Sequence, residues 1–231
     1  MLFINLQENL KMNFEKKKFL ISLVFPLFFT GLLWLIKISE IILEEDFTSF
    51  GLYPLQIKGL IGIVTSPLIH GNLDHLIANS VPLLVLGTAL FYFYSKVSYK
   101  VFFLIYLMTG IWVWFGGRPS YHIGASGIIY GLAGFIFTSG VIIRNIRLLA
   151  LSLLVVFLYG SLIWGIFPID LKISYESHFL GLLAGVILAF IYKNEGPKPV
   201  LPEWYNEKDD EENNVPTEEI SQGIIPDEEK S

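Results

Sequence analysis

The residues of this sequence best suited to chemistry are Ser126, set in the stretch GASGIIYG, and the four histidines His70, His75, His122 and His178. A serine hydroxyl is a poor nucleophile until a neighbouring base takes its proton. Histidine has the pKa for that task. Ser126 with His178 as general base would form such a pair, provided their backbones approach closely enough for a hydrogen bond of about 2.6–3.2 Å. Glycines supply the means. Gly127, Gly131 and Gly134 follow the serine, and Gly181, Ala184 and Gly185 follow the histidine in a small-xxx-small pattern. Packing of membrane helices also accounts for these glycines, and the two readings are compatible. His178 weighs toward chemistry, because an ionisable side chain within an apolar run is costly to keep there.

Acyl transfer also needs donors aimed at a developing oxyanion. The Ser126 backbone N–H, at the start of a helix, has no partner one turn earlier and sits at the positive end of the helix dipole. His75 and Asn79 are four residues apart and share a helical face. Hydrogen bonding that glues helices together is the alternative role for these two. Tyr130 lies one turn below Ser126 and can set its ring against the His178 imidazole, although tyrosine is also common at membrane interfaces. His70, just before the second apolar run, can meet loop backbone, water or the oxyanion region. Arg118 and His122 read as interface anchors or as residues shaping the entrance. Asp74 adjoins His75 in sequence but points elsewhere on a helix, so it reads as a solvated or capping residue. His70, His75 and His178 with Glu176 or Asp74 would be a zinc alternative, but there is no HExxH motif and no i,i+4 histidine pair. No metal and no cofactor is expected.

The elements that must position these residues are membrane helices. The chain is 53% hydrophobic and 16% charged, against about 25% charged in soluble domains. There is no cysteine, which excludes disulfides and thiolate chemistry. Apolar runs at 19–38, 75–95, 99–117, 125–143, 148–167 and 176–192 approach the roughly 20 residues that cross a bilayer core of about 30 Å. The expected fold is all-α, a polytopic bundle of six transmembrane helices over 19–193. The first run is too long and bulky for a cleaved signal peptide, and Pro26 is a candidate kink. Residues 39–70 are broken by Gly51, Pro54, Gly59, Gly62 and Pro67 yet remain apolar, which fits a loop partly sunk in the interface.

Residues 1–18 read as a cytoplasmic N-terminal segment. Residues 194–231 carry 12 acidic and 3 basic residues and read as a disordered acidic cytoplasmic tail. The net charge of −5 therefore hides a surplus of +4 over residues 1–193. No basic patch interleaved with exposed aromatics points to nucleic acid. With six spans, ten Lys and Arg residues from Lys11 to Lys198 fall on the side of the termini and four on the other, which places both termini in the cytoplasm of a multi-pass cell-membrane protein. The histidines then share the outer ends of the second, fourth and sixth helices.

The stretches HGNLDHLIANS, GASGIIYG and HFLGLLAG, in that order on the second, fourth and sixth helices, resemble the rhomboid intramembrane serine proteases. The resemblance extends over roughly residues 19–192 and includes YGSLIWGIFP before the last helix. It implies a Ser126 nucleophile and a His178 general base without an acidic third member. It further implies Tyr130 as the stacking residue and an oxyanion hole of His75, Asn79 and the Ser126 backbone. His70, Gly124 and Gly127 are then supporting positions, and Gly131, Gly181 and Gly185 pack helices. The first loop lacks the Trp-Arg pair that many members carry, and the tail has no counterpart. The implied activity is endoproteolysis of transmembrane protein substrates near the outer face of the bilayer. A non-catalytic rhomboid-like protein that binds transmembrane helices is the main alternative, and a small transporter a third.

Overall fold

A backbone placed among lipid tails or apolar side chains must satisfy its own N–H and C=O groups, and the helix does so within one segment. The apolar runs of this chain accordingly fold as helices. The structure, a computed structural model, describes residues 2–158, 165–168 and 173–197. Among the described residues the α-helices are α1 (Leu2–Leu43), α2 (Gly62–Thr65), α3 (Leu73–Phe93), α4 (Ser98–Gly116), α5 (Ser126–Ile142), α6 (Ile146–Leu158) and α7 (Tyr175–Ile191). The sole β pairing among them is an isolated bridge between Leu52 and His122. All described residues belong to one unit, residues 1–198.

The second, third, fourth and sixth apolar runs become α3, α4, α5 and α7 with bounds shifted by a few residues. The fifth begins as α6, and its remainder at 159–164 lies outside the described residues. So does the acidic tail beyond residue 197. The first helix is longer at both ends than its apolar run. It starts at Leu2, continues to Leu43, and carries Pro26 without ending. Among the described residues its stretch Met12–Leu43, with α3 and α4, makes three helices long and apolar enough to cross a membrane.

The segment between α1 and α3 is built of short helical turns fastened to the far end of α4. Leu52 and His122 exchange backbone hydrogen bonds of 3.0 and 2.8 Å. Leu55 N–H donates to the Trp114 carbonyl at 3.0 Å, and the Trp114 indole donates to the Gln56 carbonyl at 3.1 Å. Sequence alone marks this stretch as a broken apolar loop; its bonds to Trp114 of α4 and to His122 beyond it make it an ordered shelf beside the helix ends.

Helix α5 is the centre of the bundle. Its residues from Gly127 to Ile136 are all buried, as befits a helix apolar on every side. It packs on α3, α4, α6 and, most extensively, α7. Glycines set that last contact. A Cβ on Gly181 would collide with the Gly127 carbonyl oxygen, and one on Gly185 with the Gly131 carbonyl oxygen. A Cβ on Gly127 would press on Thr109 of α4 at 2.9 Å and on the Ser177 carbonyl at 3.1 Å. The obstacle at Gly181 and Gly185 is backbone, which cannot rotate away. Gly181→Ala and Gly185→Ala are therefore expected to destabilise the protein by about 1–3 kcal/mol, the usual cost of overpacking. Thermal unfolding in detergent checks this, and an unchanged midpoint would refute backbone contact between α5 and α7.

Candidate active site

The loop before α5 turns on Gly124, whose φ of +104° suits glycine alone. Space also demands it, since a Cβ there would lie 2.7 Å from Cε1 and 2.8 Å from Nε2 of His75. The turn delivers Ser126 as the first residue of α5. On α7, one turn inside its start, stands His178 at 7% exposure. The two side chains meet. Ser126 Oγ and His178 Nε2 are 2.7 Å apart, and His178 Nδ1 is 2.8 Å from the Gly165 carbonyl oxygen. A carbonyl only accepts, so the imidazole proton sits on Nδ1 and the Nε2 lone pair receives the Ser126 O–H. The Tyr130 ring stacks on the imidazole, with centroids 4.2 Å apart and planes inclined by 13°.

Helix α3 faces this pair. Asn72 caps it by accepting the His75 N–H at 2.7 Å, and Asp74 points into the open in the first turn. Asn79 is buried at 4% exposure, and its amide donates to the His75 carbonyl at 2.9 Å. His75, Asn79, Ser126, Tyr130 and His178 all line one cavity of about 560 Å³. His70 sits behind them at 1% exposure. Its Nε2 accepts the Ala125 N–H at 3.4 Å, and its ring meets His75 edge-on with centroids 5.0 Å apart. His70, His75, Asn79, Ser126, Tyr130 and His178 are thus gathered at one end of α3, α5 and α7. Among the described residues no group of three or more His, Asp or Glu is arranged to hold a metal ion.

His122 does not sit as an interface anchor or entrance residue. It is buried at 2% exposure. Its Nε2 is 3.1 Å from the Arg118 carbonyl and therefore donates, so Nδ1 accepts from Ser174 Oγ at 2.5 Å. Ser174 Oγ in turn lies 2.6 Å from Ser177 Oγ. Arg118 reinforces the same junction, its Nη2 donating to the Ile173 carbonyl at 2.7 Å and its guanidinium lying 4.9 Å from the Tyr175 ring. Its backbone N–H also donates to Glu176 Oε1 at 3.3 Å. These bonds hold the start of α7, and with it His178. Sequence reasoning missed the Gly165 carbonyl altogether. A backbone acceptor has no residue-type signature, and only its place in space reveals it.

A family model of the rhomboid domain matches residues 58–195, a span that holds every one of these side chains. The chain belongs to the rhomboid family. Relatives are consistent with that membership. Uncharacterized proteins of Mycobacterium tuberculosis and Mycobacterium bovis are each 32% identical over 172 residues, covering 71% of this chain and 72% of theirs. A Bacillus subtilis protein named "Putative rhomboid protease YdcA" is 29% identical over 148 residues, covering 56% of this chain and 65% of its own. Within this rhomboid domain the match begins after α1, at the shelf, and ends just past α7.

Two histidines outside the helices carry a pH dependence. Burial, with His75 nearby, pushes His70 down to about 3, and burial also lowers His122. A folded-state pKa below the unfolded one means that the unfolded chain binds more protons in acid. Stability from both groups is complete above about pH 6.5 and is lost as pH falls below it. Each group then costs up to about 1.4 kcal/mol per pH unit until its folded pKa is reached. The melting midpoint is expected to drop between pH 7 and pH 5, and to drop less in His122→Asn. A midpoint flat across that range would contradict buried neutral histidines.

Proposed function

We propose that this rhomboid-family protein is an intramembrane serine endopeptidase that cleaves transmembrane protein substrates near the outer face of the bilayer. The observation that carries the reading is the 2.7 Å contact of Ser126 Oγ with an imidazole whose other nitrogen is held by a carbonyl. In this reading His178 takes the Ser126 proton as the hydroxyl attacks a substrate carbonyl. The negative oxygen that forms is met by the Ser126 N–H, His75 and Asn79. The imidazolium then protonates the leaving amine, and His178 next activates a water that hydrolyses the acyl-enzyme. The Gly165 carbonyl takes the orienting role of an acidic third member, while Tyr130 fixes the ring plane.

The membrane arrangement belongs to the same proposal. Six helices cross the bilayer, both termini lie in the cytoplasm, and the histidine-bearing ends face outward. Helices α5 and α7 have 17 residues each, about 25 Å of length at 1.5 Å per residue, against a bilayer core of about 30 Å. Beside α3 with 21 residues and α4 with 19, a shorter central helix leaves its first residue recessed. The cavity above Ser126 then admits water from outside, and the bundle excludes it elsewhere. The ordered shelf before α3 rests in the outer interface. Partners are the bilayer and membrane-spanning substrates.

Ser126→Ala and His178→Asn should abolish cleavage of a single-span model substrate in proteoliposomes, and wild type but not Ser126→Ala should take up a fluorophosphonate. Cleavage by Ser126→Ala at the wild-type rate would sink the proposal. Tyr130→Phe, which keeps the stacked ring, should stay within about threefold of wild type. Tyr130→Ala, which frees the imidazole, should lose about tenfold or more in kcat, because small misplacements of a reacting group are costly.

A further inference from the structure

We infer that Lys37, near the end of α1, is a positioning residue for the oxyanion side of the site, acting through the backbone of His70. In sequence Lys37 is one of the four basic residues counted on the side of the bilayer opposite the termini. In the structure it is buried at 8% exposure beside Glu40 at 9%. A buried ion pair is a poor stabilising device, because desolvation offsets its attraction and apolar replacements often serve as well. What this pair does besides is specific. The Lys37 ammonium has three N–H donors. They serve Glu40 Oε2 at 2.8 Å, the His70 carbonyl at 2.9 Å and the Gly71 carbonyl at 3.3 Å. The other Glu40 oxygen accepts the Phe47 N–H at 3.3 Å. One ammonium thereby joins α1, the start of the shelf and the turn that leads into α3.

The turn matters because of what the His70 ring touches. It accepts the N–H of Ala125, the residue before Ser126, and it packs edge-on against His75. Two of the three proposed oxyanion donors, the Ser126 N–H and the His75 side chain, thus rest on a ring whose backbone Lys37 holds from α1. That helix otherwise lies apart from the cavity and lines none of it. Displacing a reacting group by about 1 Å can cost about a hundredfold in rate, and a carbonyl losing its donor is free to move by such a distance. The inference rests on the serine-protease reading.

The test uses the full chain in proteoliposomes, with kcat and KM on a single-span substrate, the rate of fluorophosphonate labelling at Ser126, and the melting midpoint. Lys37→Met combined with Glu40→Gln removes both charges and leaves neither ion buried alone. It should lower kcat and the labelling rate by about tenfold or more with KM within about twofold. Glu40→Gln alone breaks the ion pair yet leaves Lys37 on both carbonyls; it should lower the midpoint but cost less than about threefold in kcat. Should the double variant fail to fold, Lys37→Gln, whose shorter amide reaches one carbonyl at most, should show the same loss of kcat. A folded double variant within threefold of wild type overturns the inference, and so does a Glu40→Gln loss as deep as the double variant's. Wild-type protein that neither cleaves nor labels would instead end the protease reading itself.

Discussion

The backbone-to-backbone contact of α5 with α7 is the constraint from which the rest of the structure follows. A hydroxyl one bond from its Cβ and an imidazole of modest reach can share a hydrogen bond only if their helices nearly touch. The glycines at 127, 131, 181 and 185 remove every side chain that would hold the axes apart. With that contact fixed, Ser126 and His178 fall at the same depth, and the ring of Tyr130, one turn along α5, covers the imidazole face. Lipid supplies no hydrophobic force to press helices together, so close van der Waals packing of small residues must do so.

Around the proposed dyad, positioning is done largely by backbone carbonyls. Gly165 orients His178, Arg118 orients His122, and His75 holds its own neighbour Asn79. Buried carbonyls and N–H groups need partners in any case, since leaving one unmet costs about 1–3 kcal/mol. Satisfying them with the ring nitrogens and amides of site residues fixes those side chains without adding buried charge. The proposed general base thereby has a tautomer set by a backbone carbonyl.

Two ion pairs stand at the flanks of the site. Lys37 with Glu40, and Arg118 with Glu176, bracket the site from α1 and from the α4–α5 loop. Arg118 braces the start of α7 under His178, and Lys37 braces the turn under His70. The ordered shelf between α1 and α3 links the two sides through Leu52 and His122. The proposed oxyanion donors and the proposed base are thus held from opposite flanks of one cavity, and each flank uses a long cation to reach carbonyls across a gap between elements.

Much of this was legible in the sequence, because the signals were local. Runs of apolar residues at helical length marked α3, α4, α5 and α7 within a few residues, and small residues beside Ser126 and His178 marked where two of them would touch. Nothing local marked the Gly165 carbonyl, since a backbone acceptor is the same at every residue. Residue type also misjudged His122 and gave no sign that Lys37 is buried. Charge and polarity argue for solvent, whereas their places against unpaired carbonyls of other elements put them inside. Periodicity and composition act along the chain and determined which segments are helical and which faces are apolar. Partnership between groups 33 to 55 residues apart depends on how the helices are juxtaposed, and that was decided only when glycine contacts closed the bundle and brought these donors and acceptors within reach.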